Sequence, residues 1–340
     1  MRQTSDMDTH AGFTARARSF SLAAILLASG LGAQVSSPGA ARAAEGDIPE
    51  IPSCASLEQR KVIFTTTTVG IQGEEITKEH LRSQWATTLL DPMYRLASGY
   101  VPRSLTWITP QAVPSQTTGV FQLRRSAATA LRSMFLAARE EGVQLRIISA
   151  YRGYRTQTAT FAYWVAQSGL QLARKYSAIP GHSEHQLGTA VDLGTVGAGA
   201  PWGSASFAAS PTALWLAEHA YTFGFVRSYP AGAKRVALSC YGSEPWHWRY
   251  VGLNLAYEIV CSEQVPRIFL WNKQFGGERV IGERCSELQA PEGYTSDGDI
   301  DQDGVLDSED NCPDTLNPDQ LDSDVNGIGD VCEPEPTPSP

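Results

Sequence analysis

The chain has 340 residues, of which 42% are hydrophobic and 19% are charged, as is usual for a folded soluble protein. Its net charge of −9 is local, because residues 297–340 contain 14 acidic residues (11 Asp and 3 Glu) and no Lys or Arg. The rest of the chain has 27 basic and 22 acidic residues, a surplus of +5. This distribution argues against a general preference for nucleic acid or membrane surfaces and assigns the acidity to a C-terminal tail.

The N-terminus has the pattern of a secretory signal peptide in residues 1–43. Arg16 and Arg18 precede the apolar run FSLAAILLASGLGA, and Ala41 and Ala43 form an A-x-A cleavage site. The apolar run is short for a transmembrane helix, and an uncleaved anchor is the alternative. We expect an exported protein with no transmembrane segment after signal removal, located in the periplasm, at the cell wall or outside the cell.

The region that follows predicts helices interspersed with short strands. Residues 44–88 are expected to be a linker and N-terminal extension, with one β-branched strand at KVIFTTTTVG. The run RRSAATALRSMFLAAREEGVQ predicts a helix that stops at Gly142, and the strand LRIISA follows it. Two more helices are expected, at TQTATFAYWVAQSGLQLARKY with a break at Gly169 and at PTALWLAEHAYTFGF with an end near Gly224. This order indicates the α+β class.

Three residues that are far apart in the chain have the chemistry of a zinc site. His185 and Asp192 lie in GHSEHQLGTAVDL, and His247 lies in EPWHWRYVG, three residues after Glu244. Asp192 stands among Ala, Val and Leu, where burial of a carboxylate is costly unless a cation pairs with it. Zinc accepts imidazole and carboxylate ligands, and a Glu beside a ligand histidine can take a proton from water. His182 is an alternative ligand, but it has no comparable need for a cation.

Together these motifs resemble the zinc D,D-carboxypeptidases of the VanY type. The likeness begins near LLDPMYRLASGYVPRSLTW and continues through LRIISAYRGYRTQ, KYSAIPGHSEHQLGTAVDLG and WLAEHAYTFGFVRSYP to EPWHWRYVG. It covers residues 89–252 in one order. The resemblance implies a zinc carboxypeptidase domain over residues 89–255. It also implies a small antiparallel sheet flanked by helices, as in zinc D,D-peptidases and Hedgehog-like domains.

The resemblance implies a role for each site residue. Zinc would be held by His185, Asp192 and His247, and Glu244 would act as the catalytic base. Arg152 of AYRGYR corresponds to the family's arginine that faces the reacting carbonyl. No ligand position departs from the family pattern. The implied reaction is peptide hydrolysis by metal-activated water, with zinc and arginine sharing the negative charge on the carbonyl oxygen.

The implied substrate is the peptide stem of bacterial peptidoglycan, from which the terminal D-alanine would be removed. Gln157 and Ser183 match family positions near this substrate. Related enzymes of this fold cut an L–D bond or act as endopeptidases inside the stem, and both remain alternatives. A non-catalytic cell-wall or protein-binding module and a zinc-organised signalling domain are alternatives of a different class. A non-catalytic relative is expected to lose Glu244 or a zinc ligand, and all four residues are present.

An even number of cysteines in an exported chain favours disulfides. The six are Cys54, Cys240, Cys261, Cys285, Cys312 and Cys332. Sequence alone leaves 15 pairings open. Proximity suggests Cys261–Cys285 and Cys312–Cys332, which leaves Cys54 with Cys240. Residues 256–296 are expected to form a disulfide-closed extension, with a hairpin turn at FGGE.

Residues 297–333 contain two copies of a calcium-loop pattern. In DIDQDGVLDSED and DSDVNGIGDVCE, oxygen-bearing side chains stand at alternate positions before a glycine, an arrangement that suits Ca²⁺. The second copy also has the closing glutamate. The expected calcium ligands are Asp299, Asp301, Asp303, Asp307, Asp310, Asp322, Asp324, Asn326, Asp330 and Glu333.

Helical calcium modules do not suit this tail. Pro313 and Pro334 follow the loops closely and prevent the exit helix that an EF-hand or a dockerin requires. The string DNCPDTLNPDQLDSDVNGIGDVC is similar to thrombospondin type 3 repeats, and the resemblance implies that calcium forms the core. A solvated acidic linker is the alternative. The tail is expected to be a stiff spacer, a protein-binding module or an envelope attachment, so a protein or an envelope component is its expected partner in the last two cases. Residues 334–340 are expected to be a Pro-rich disordered terminus.

Overall fold

The computed structural model describes most of the chain from residue 84 to residue 294 and shorter pieces on either side. The described residues are 51, 53–54, 63–64, 69–70, 74–76, 81, 84–108, 120–203, 206–275, 280–292, 294, 303, 305, 310–312, 315, 317–323 and 327–332. All of them belong to one compact unit, Asp47–Pro340. The predicted signal peptide and the Pro-rich terminus lie outside the described residues. Among the described helices, none combines the length and the apolar character that a membrane span requires.

The described residues include seven α-helices. They are α1 Arg125–Glu140, α2 Tyr154–Ser168, α3 Leu170–Tyr176, α4 Pro211–His219, α5 Ala233–Ser239, α6 Leu253–Ser262 and α7 Pro266–Gln274. Helix α1 is amphipathic, because Leu131, Met134, Phe135 and Ala138 recur at helical spacing and are all buried. Ser126 and Ala127 in its first turn are also buried, and the opposite side of the helix is more exposed, so this helix covers one side of the core.

The described strands form one larger sheet and three small ones. They are β1 Ile63–Phe64, β2 Val69–Gly70, β3 Glu74–Glu75, β4 Tyr94–Arg95, β5 Leu105–Ile108, β6 Phe121–Arg124, β7 Leu145–Ser149, β8 Ala190–Thr195, β9 Phe225–Arg227 and β10 His247–Tyr250. The larger sheet has the order β7-β8-β10-β9, and its neighbouring strands are antiparallel. The small sheets pair β1 with β2, β3 with β4 and β5 with β6. The first five residues of β8 are all buried, so both faces of this strand are covered.

The main core forms between the larger sheet and the helices. Ile147, Val191 and Leu193 of the sheet belong to the same buried cluster as Leu131 and Met134 of α1. Burial of each such side chain stabilises the fold by about 1.5–3 kcal/mol relative to exposure. The predicted α+β class, with a small antiparallel sheet and flanking helices, is confirmed.

The predicted elements between residues 121 and 224 are also confirmed. Helix α1 ends two residues before Gly142, and α2 and α3 meet at Gly169. The strand LRIISA contains β7, and α4 continues as a 3₁₀ turn, Ala220–Phe223, before Gly224. One strand is predicted at KVIFTTTTVG, whereas the structure has two strands there, β1 and β2. Each has two residues, and they pair with one another.

The predicted hairpin in the 256–296 extension is wrong. The run before the FGGE turn is helical, because α7 covers RIFLWNKQ, and residues 276–279 lie outside the described residues. Pro266 stands at the first turn of α7, where its missing N–H costs no helical hydrogen bond. Phe269, Leu270 and Trp271 are buried in the main core. Tertiary packing therefore overrides the strand propensity of this segment.

Covalent and ionic links connect segments that are far apart in the chain. The suggested disulfides are present as Cys54–Cys240, Cys261–Cys285 and Cys312–Cys332. Arg267 of α7 donates from Nε to Oδ2 of Asp91 at 2.7 Å, and both side chains are buried. Oδ1 of Asp91 accepts the backbone N–H groups of Met93 and Tyr94. The segment around residue 91 and helix α7 are thus parts of one folded body.

Candidate active site

Strand pairing brings Asp192 and His247 together. Asp192 lies in β8, His247 begins β10, and the two are directly opposite in the antiparallel register. Opposite residues of an antiparallel pair extend their side chains from the same face of the sheet. Nδ1 of His247 is accordingly 3.1 Å from Oδ1 of Asp192.

His185 reaches Asp192 from a 3₁₀ turn, Glu184–Leu187, which precedes β8. Its Nδ1 is 2.7 Å from the carbonyl oxygen of Ala150, so this nitrogen carries the proton and donates it to the carbonyl. Its Nε2 lies 3.3 Å from Oδ2 of Asp192. That nitrogen is buried and finds no hydrogen-bond partner among the described residues. A buried nitrogen with a free lone pair is suited to a metal ion.

The three predicted zinc ligands form one buried cluster. One ligand atom from each of His185, Asp192 and His247 lies within 4.8 Å of the others. All three residues are at most 4% exposed. Two imidazole nitrogens and one carboxylate oxygen are a donor set that zinc accepts, with a further position left for water or substrate. The residues present therefore fit zinc.

The cluster keeps its ligands in the charge states that a metal site requires. Burial and the neighbouring Arg152 lower the pKa of His185 to about 4, so its imidazole is neutral. Burial alone would raise the pKa of Asp192, but His185 and His247 hold it far below its usual range. Burial would lower the pKa of His247, yet hydrogen bonds to Asp192 and Glu184 raise it to about 10. Without metal, His247 therefore carries a proton that a metal ion would displace.

Glu244 and Arg152 lie beside the cluster. Oε2 of Glu244 is 3.9 Å from Nδ1 of His247, and the carboxylate is 8% exposed. Burial raises the pKa of Glu244 to about 8, and the charge of Asp192 adds to this effect. The backbone N–H of Arg152 donates to the carbonyl oxygen of His185 at 3.2 Å. Nε of Arg152 is buried and finds no hydrogen-bond partner among the described residues.

A cavity of about 980 Å³ opens onto the cluster. Arg152, Ser183 and Glu244 line it together with the three clustered ligands, and seven aromatic residues also line it. Those aromatic residues are Tyr163, Trp164, Tyr176, Trp202, Tyr229, Tyr241 and Trp246. A cavity of this size accepts a ligand considerably larger than a dipeptide.

Gln157 occupies a supporting position and is not among the residues that line this cavity. Its side-chain N–H₂ group donates to the carbonyl oxygen of Ala178 at 2.7 Å. Ser177 and Ala178 do line the cavity. Gln157 is therefore positioned to hold the cavity wall, whereas the sequence predicts a position near the substrate.

Sequence reasoning missed a second group of buried charges behind the cluster. The carboxylate of Glu184 contacts His247, Ser228 and Arg249, and both Glu184 and Arg249 are buried. Two sequence signals point to this group. Glu184 is adjacent to His185, and the two-residue period of strand β10 places Arg249 on the same side as His247.

His182 does not join the cluster. Its Nδ1 is 2.6 Å from the backbone carbonyl oxygen of Asp91, and the ring is buried in that position. The expectation that His182 is not a metal ligand agrees with this position. His182 instead connects the loop before the 3₁₀ turn to the segment that also binds Arg267.

The structure describes four of the ten predicted calcium ligands. Asp303, Asp310, Asp322 and Asp330 each accept a hydrogen bond from a backbone N–H group within the tail. The Cys312–Cys332 disulfide joins the first loop to the end of the second. The other six lie outside the described residues: Asp299, Asp301, Asp307, Asp324, Asn326 and Glu333.

Comparison with known protein families supports both resemblances. Residues 120–253 match the family model described as VanY, D-alanyl-D-alanine carboxypeptidase. We call residues 120–253 the VanY-family domain after this match. They include all three clustered ligands together with Arg152 and Glu244. Residues 281–320 match the thrombospondin type 3 repeat model, which covers the first calcium-loop pattern and ends before the second.

Individual proteins and solved structures resemble this chain over part of its length. A D-alanyl-D-alanine carboxypeptidase of Enterococcus faecalis is 34% identical over 148 residues, which are 39% of this chain and 52% of that protein. A solved structure of the LdcB LD-carboxypeptidase is 27% identical, with a TM-score of 0.49, and the match covers 62% of this chain and 92% of that chain. A solved VanY D,D-pentapeptidase in complex with Zn(II) is 26% identical, with a TM-score of 0.45, covering 55% of this chain and 99% of that chain. The chain spans 62%, 52%, 57% and 30% of the length of four curated relatives that it matches.

Proposed function

We propose that the VanY-family domain is a zinc-dependent D,D-carboxypeptidase that removes the terminal D-alanine from peptidoglycan stem peptides. The observation that carries this proposal is the buried cluster of His185, Asp192 and His247, with Glu244 beside it and a large cavity in front of it. The family match supplies the substrate class. The geometry supplies the reaction type, because it combines a metal-binding donor set with an adjacent acid that is not one of the ligands.

Zinc would be held by Nε2 of His185, the carboxylate of Asp192 and Nδ1 of His247. When bound, it supplies Lewis-acid chemistry that polarises the peptide carbonyl and makes water a better nucleophile near neutral pH. Nδ1 is the ring nitrogen of His247 that remains for the metal, because its Nε2 is 2.9 Å from Oε2 of Glu184. Nε2 is likewise the ring nitrogen of His185 that remains for the metal, because its Nδ1 donates to the carbonyl oxygen of Ala150.

Glu244 would move the proton in this reaction. In its ionised form, the Glu244 carboxylate would accept a proton from the attacking water and return it to the leaving amine. Arg152 would donate hydrogen bonds to the carbonyl oxygen as negative charge develops there. Its buried Nε, which finds no partner among the described residues, supports this role. Removing one such donor typically costs about 10²–10³-fold in rate.

Cleavage of an L–D bond and cleavage inside the stem are the alternatives within this proposal. The cavity of about 980 Å³ has room for several residues of a stem peptide, so its size is compatible with each of them. A non-catalytic binding module is disfavoured, because Glu244 and all three ligands are present and adjacent.

The deciding experiment uses the purified protein, stem pentapeptide and stem tetrapeptide, each with and without a chelator. Mass spectrometry should show loss of one alanine from the pentapeptide and no product with chelator. Loss of the last residue from the tetrapeptide alone would indicate L,D cleavage, and a larger fragment would indicate an endopeptidase. No product from either peptide, with zinc bound, would overturn the proposal.

The base assignment is tested by Glu244→Gln. This variant should keep one zinc per chain and lose hydrolysis by at least about 100-fold, because a general base typically contributes 10²–10⁴-fold. Glu218→Gln is the matched control, since this glutamate side chain is 78% exposed and lies on α4. Near-normal hydrolysis by Glu244→Gln would show that another group accepts the proton.

We further propose that the protein is exported and that its tail binds calcium. The signal-peptide pattern of residues 1–43, the three disulfides and the abundance of calcium outside cells support this reading. The match to thrombospondin type 3 repeats supports calcium as the ion. A protein or envelope component would then be the partner of the stiffened tail.

A further inference from the structure

A chain of buried polar contacts leads from the metal cluster to a segment outside the VanY match. Glu184 is 5% exposed, and its two carboxylate oxygens accept three hydrogen bonds. Oε2 accepts from Oγ of Ser228 at 2.6 Å and lies 2.9 Å from Nε2 of His247. Oε1 accepts from Nη1 of Arg249 at 3.0 Å. The carboxylate thus contacts a predicted zinc ligand on one side and a buried guanidinium on the other.

Arg249 is bound by backbone carbonyl groups of a segment that precedes the matched domain in the chain. It is 1% exposed, and its Nη2 donates to the carbonyl oxygens of Trp85, Ala86 and Thr88 at 3.4, 3.0 and 2.7 Å. These residues lie more than 30 positions before the VanY match, which begins at residue 120. The negative charge of Glu184 balances the charge of Arg249, and this pairing makes the burial of both tolerable.

We propose that Glu184 is a positioning residue for the zinc ligand His247, and that Arg249 and the Trp85–Thr88 turn hold Glu184 in place. This inference rests on the zinc site of the proposed function. An imidazole whose Nε2–H donates to a carboxylate has its ring orientation fixed and presents the lone pair of Nδ1. Such a carboxylate also makes the ring a stronger ligand, and loss of such a partner typically weakens metal binding by about 10–100-fold.

Only a carboxylate suits this position. Its two oxygens face three donors, so both of them must accept. A glutamine has one oxygen and one N–H₂ group. In one orientation of the amide, its hydrogens would point at the guanidinium of Arg249. In the other orientation, they would point at Ser228 and His247. Glu184→Gln keeps the shape of the side chain and removes this acceptor arrangement.

The test measures zinc affinity without substrate, by competition with a chromophoric chelator. Glu184→Gln should bind zinc about 10–100-fold more weakly than the parent protein, with an unchanged far-UV circular dichroism spectrum in the metal-free form. Ser228→Ala is the control, because it removes one donor and leaves the carboxylate on His247, so its zinc affinity should stay within a few-fold. A folded Glu184→Gln variant with the parent's zinc affinity would overturn the proposal.

Two further measurements separate positioning from a general loss of stability. In a His247→Ala background, Glu184→Gln should cause no additional loss of zinc affinity, whereas an equal loss in both backgrounds would overturn action through His247. In the zinc-loaded parent protein, ¹⁵N NMR should show His247 with a proton on Nε2, and a protonated Nδ1 would be contrary to the inference. This measurement needs no variant. A protein that loses zinc affinity as expected but cleaves no stem peptide would refute the proposed function and leave the positioning role intact.

Discussion

Gly224 provides a sharp test of how the larger sheet is packed. It stands between the 3₁₀ turn Ala220–Phe223 and β9, with a φ of +79°. A Cβ added there would lie 2.7 Å from Cε2 of Tyr250, 3.0 Å from the backbone carbon of Gly252 and 3.2 Å from the backbone nitrogen of Leu253. Tyr250 cannot easily move aside, because its buried ring packs against Trp85 and Phe225.

The expected cost of Gly224→Ala has two parts. The left-handed backbone costs an L-residue about 1–2 kcal/mol. Overpacking against a closed core adds about 1–3 kcal/mol. The free energy of unfolding should therefore fall by about 2–5 kcal/mol. Gly142 separates these parts, because it has the same φ of +79° and a Cβ there would meet no described atom within 4 Å. Gly142→Ala should show the backbone cost alone.

Urea unfolding followed by tryptophan fluorescence measures both variants. The protein should be metal-free, because zinc binding to the folded state would add its own stabilisation. In both variants, the free energy of unfolding should fall with urea concentration at the same slope as in the parent protein. The urea concentration at the unfolding midpoint should differ between the two variants. If Gly224→Ala and Gly142→Ala lower the free energy of unfolding equally, the contact with Tyr250 does not contribute to the cost, and the packing argument is wrong.

Two other predictions concern metal ions. Zinc affinity should rise with pH, by about a hundredfold per unit between pH 5 and 8 and about tenfold per unit between pH 8 and 10, because zinc binding would displace protons from His247 and Glu244, whose pKa values are about 10 and 8. Chelator competition at several pH values checks this, and a pH-independent affinity would contradict it. Calcium should bind the tail with a Kd of about 10⁻⁴–10⁻³ M, the range of extracellular calcium-binding modules. Calorimetry should show weaker binding for Asp322→Ala, and unchanged calcium binding by that variant would argue for a solvated linker.

The metal cluster could be predicted from sequence because its signals are local. Asp192 has an apolar environment that is visible in AVDL, and Glu244 and His247 are three residues apart. Strand pairing of β8 with β10 then brings the two motifs together. The helix boundaries were predictable for a similar reason, since Gly142 and Gly169 follow periodic apolar runs.

The buried partners behind the cluster could not be predicted in this way. A glutamate beside a histidine and an arginine in a strand are usually exposed, and nothing local shows that Glu184 and Arg249 are not. Their burial depends on carbonyl groups of Trp85 and Thr88, more than 160 positions before Arg249. Helix α7 presents the same difficulty. Its apolar residues suit a strand or a helix, and only the pairing of Arg267 with Asp91 and packing in the core decide between them.

The charges of the site account for how one buried cluster can exist with and without metal. In the metal-free protein at neutral pH, two carboxylates (Asp192 and Glu184) face two cations (protonated His247 and Arg249), while His185 and Glu244 are neutral. Zinc adds two positive charges. If one proton leaves His247 and one leaves Glu244, two positive charges are removed, so the net charge of the site does not change and the desolvation cost changes little. The same exchange leaves Glu244 ionised, which is the form that a general base requires, so metal binding would itself activate the base.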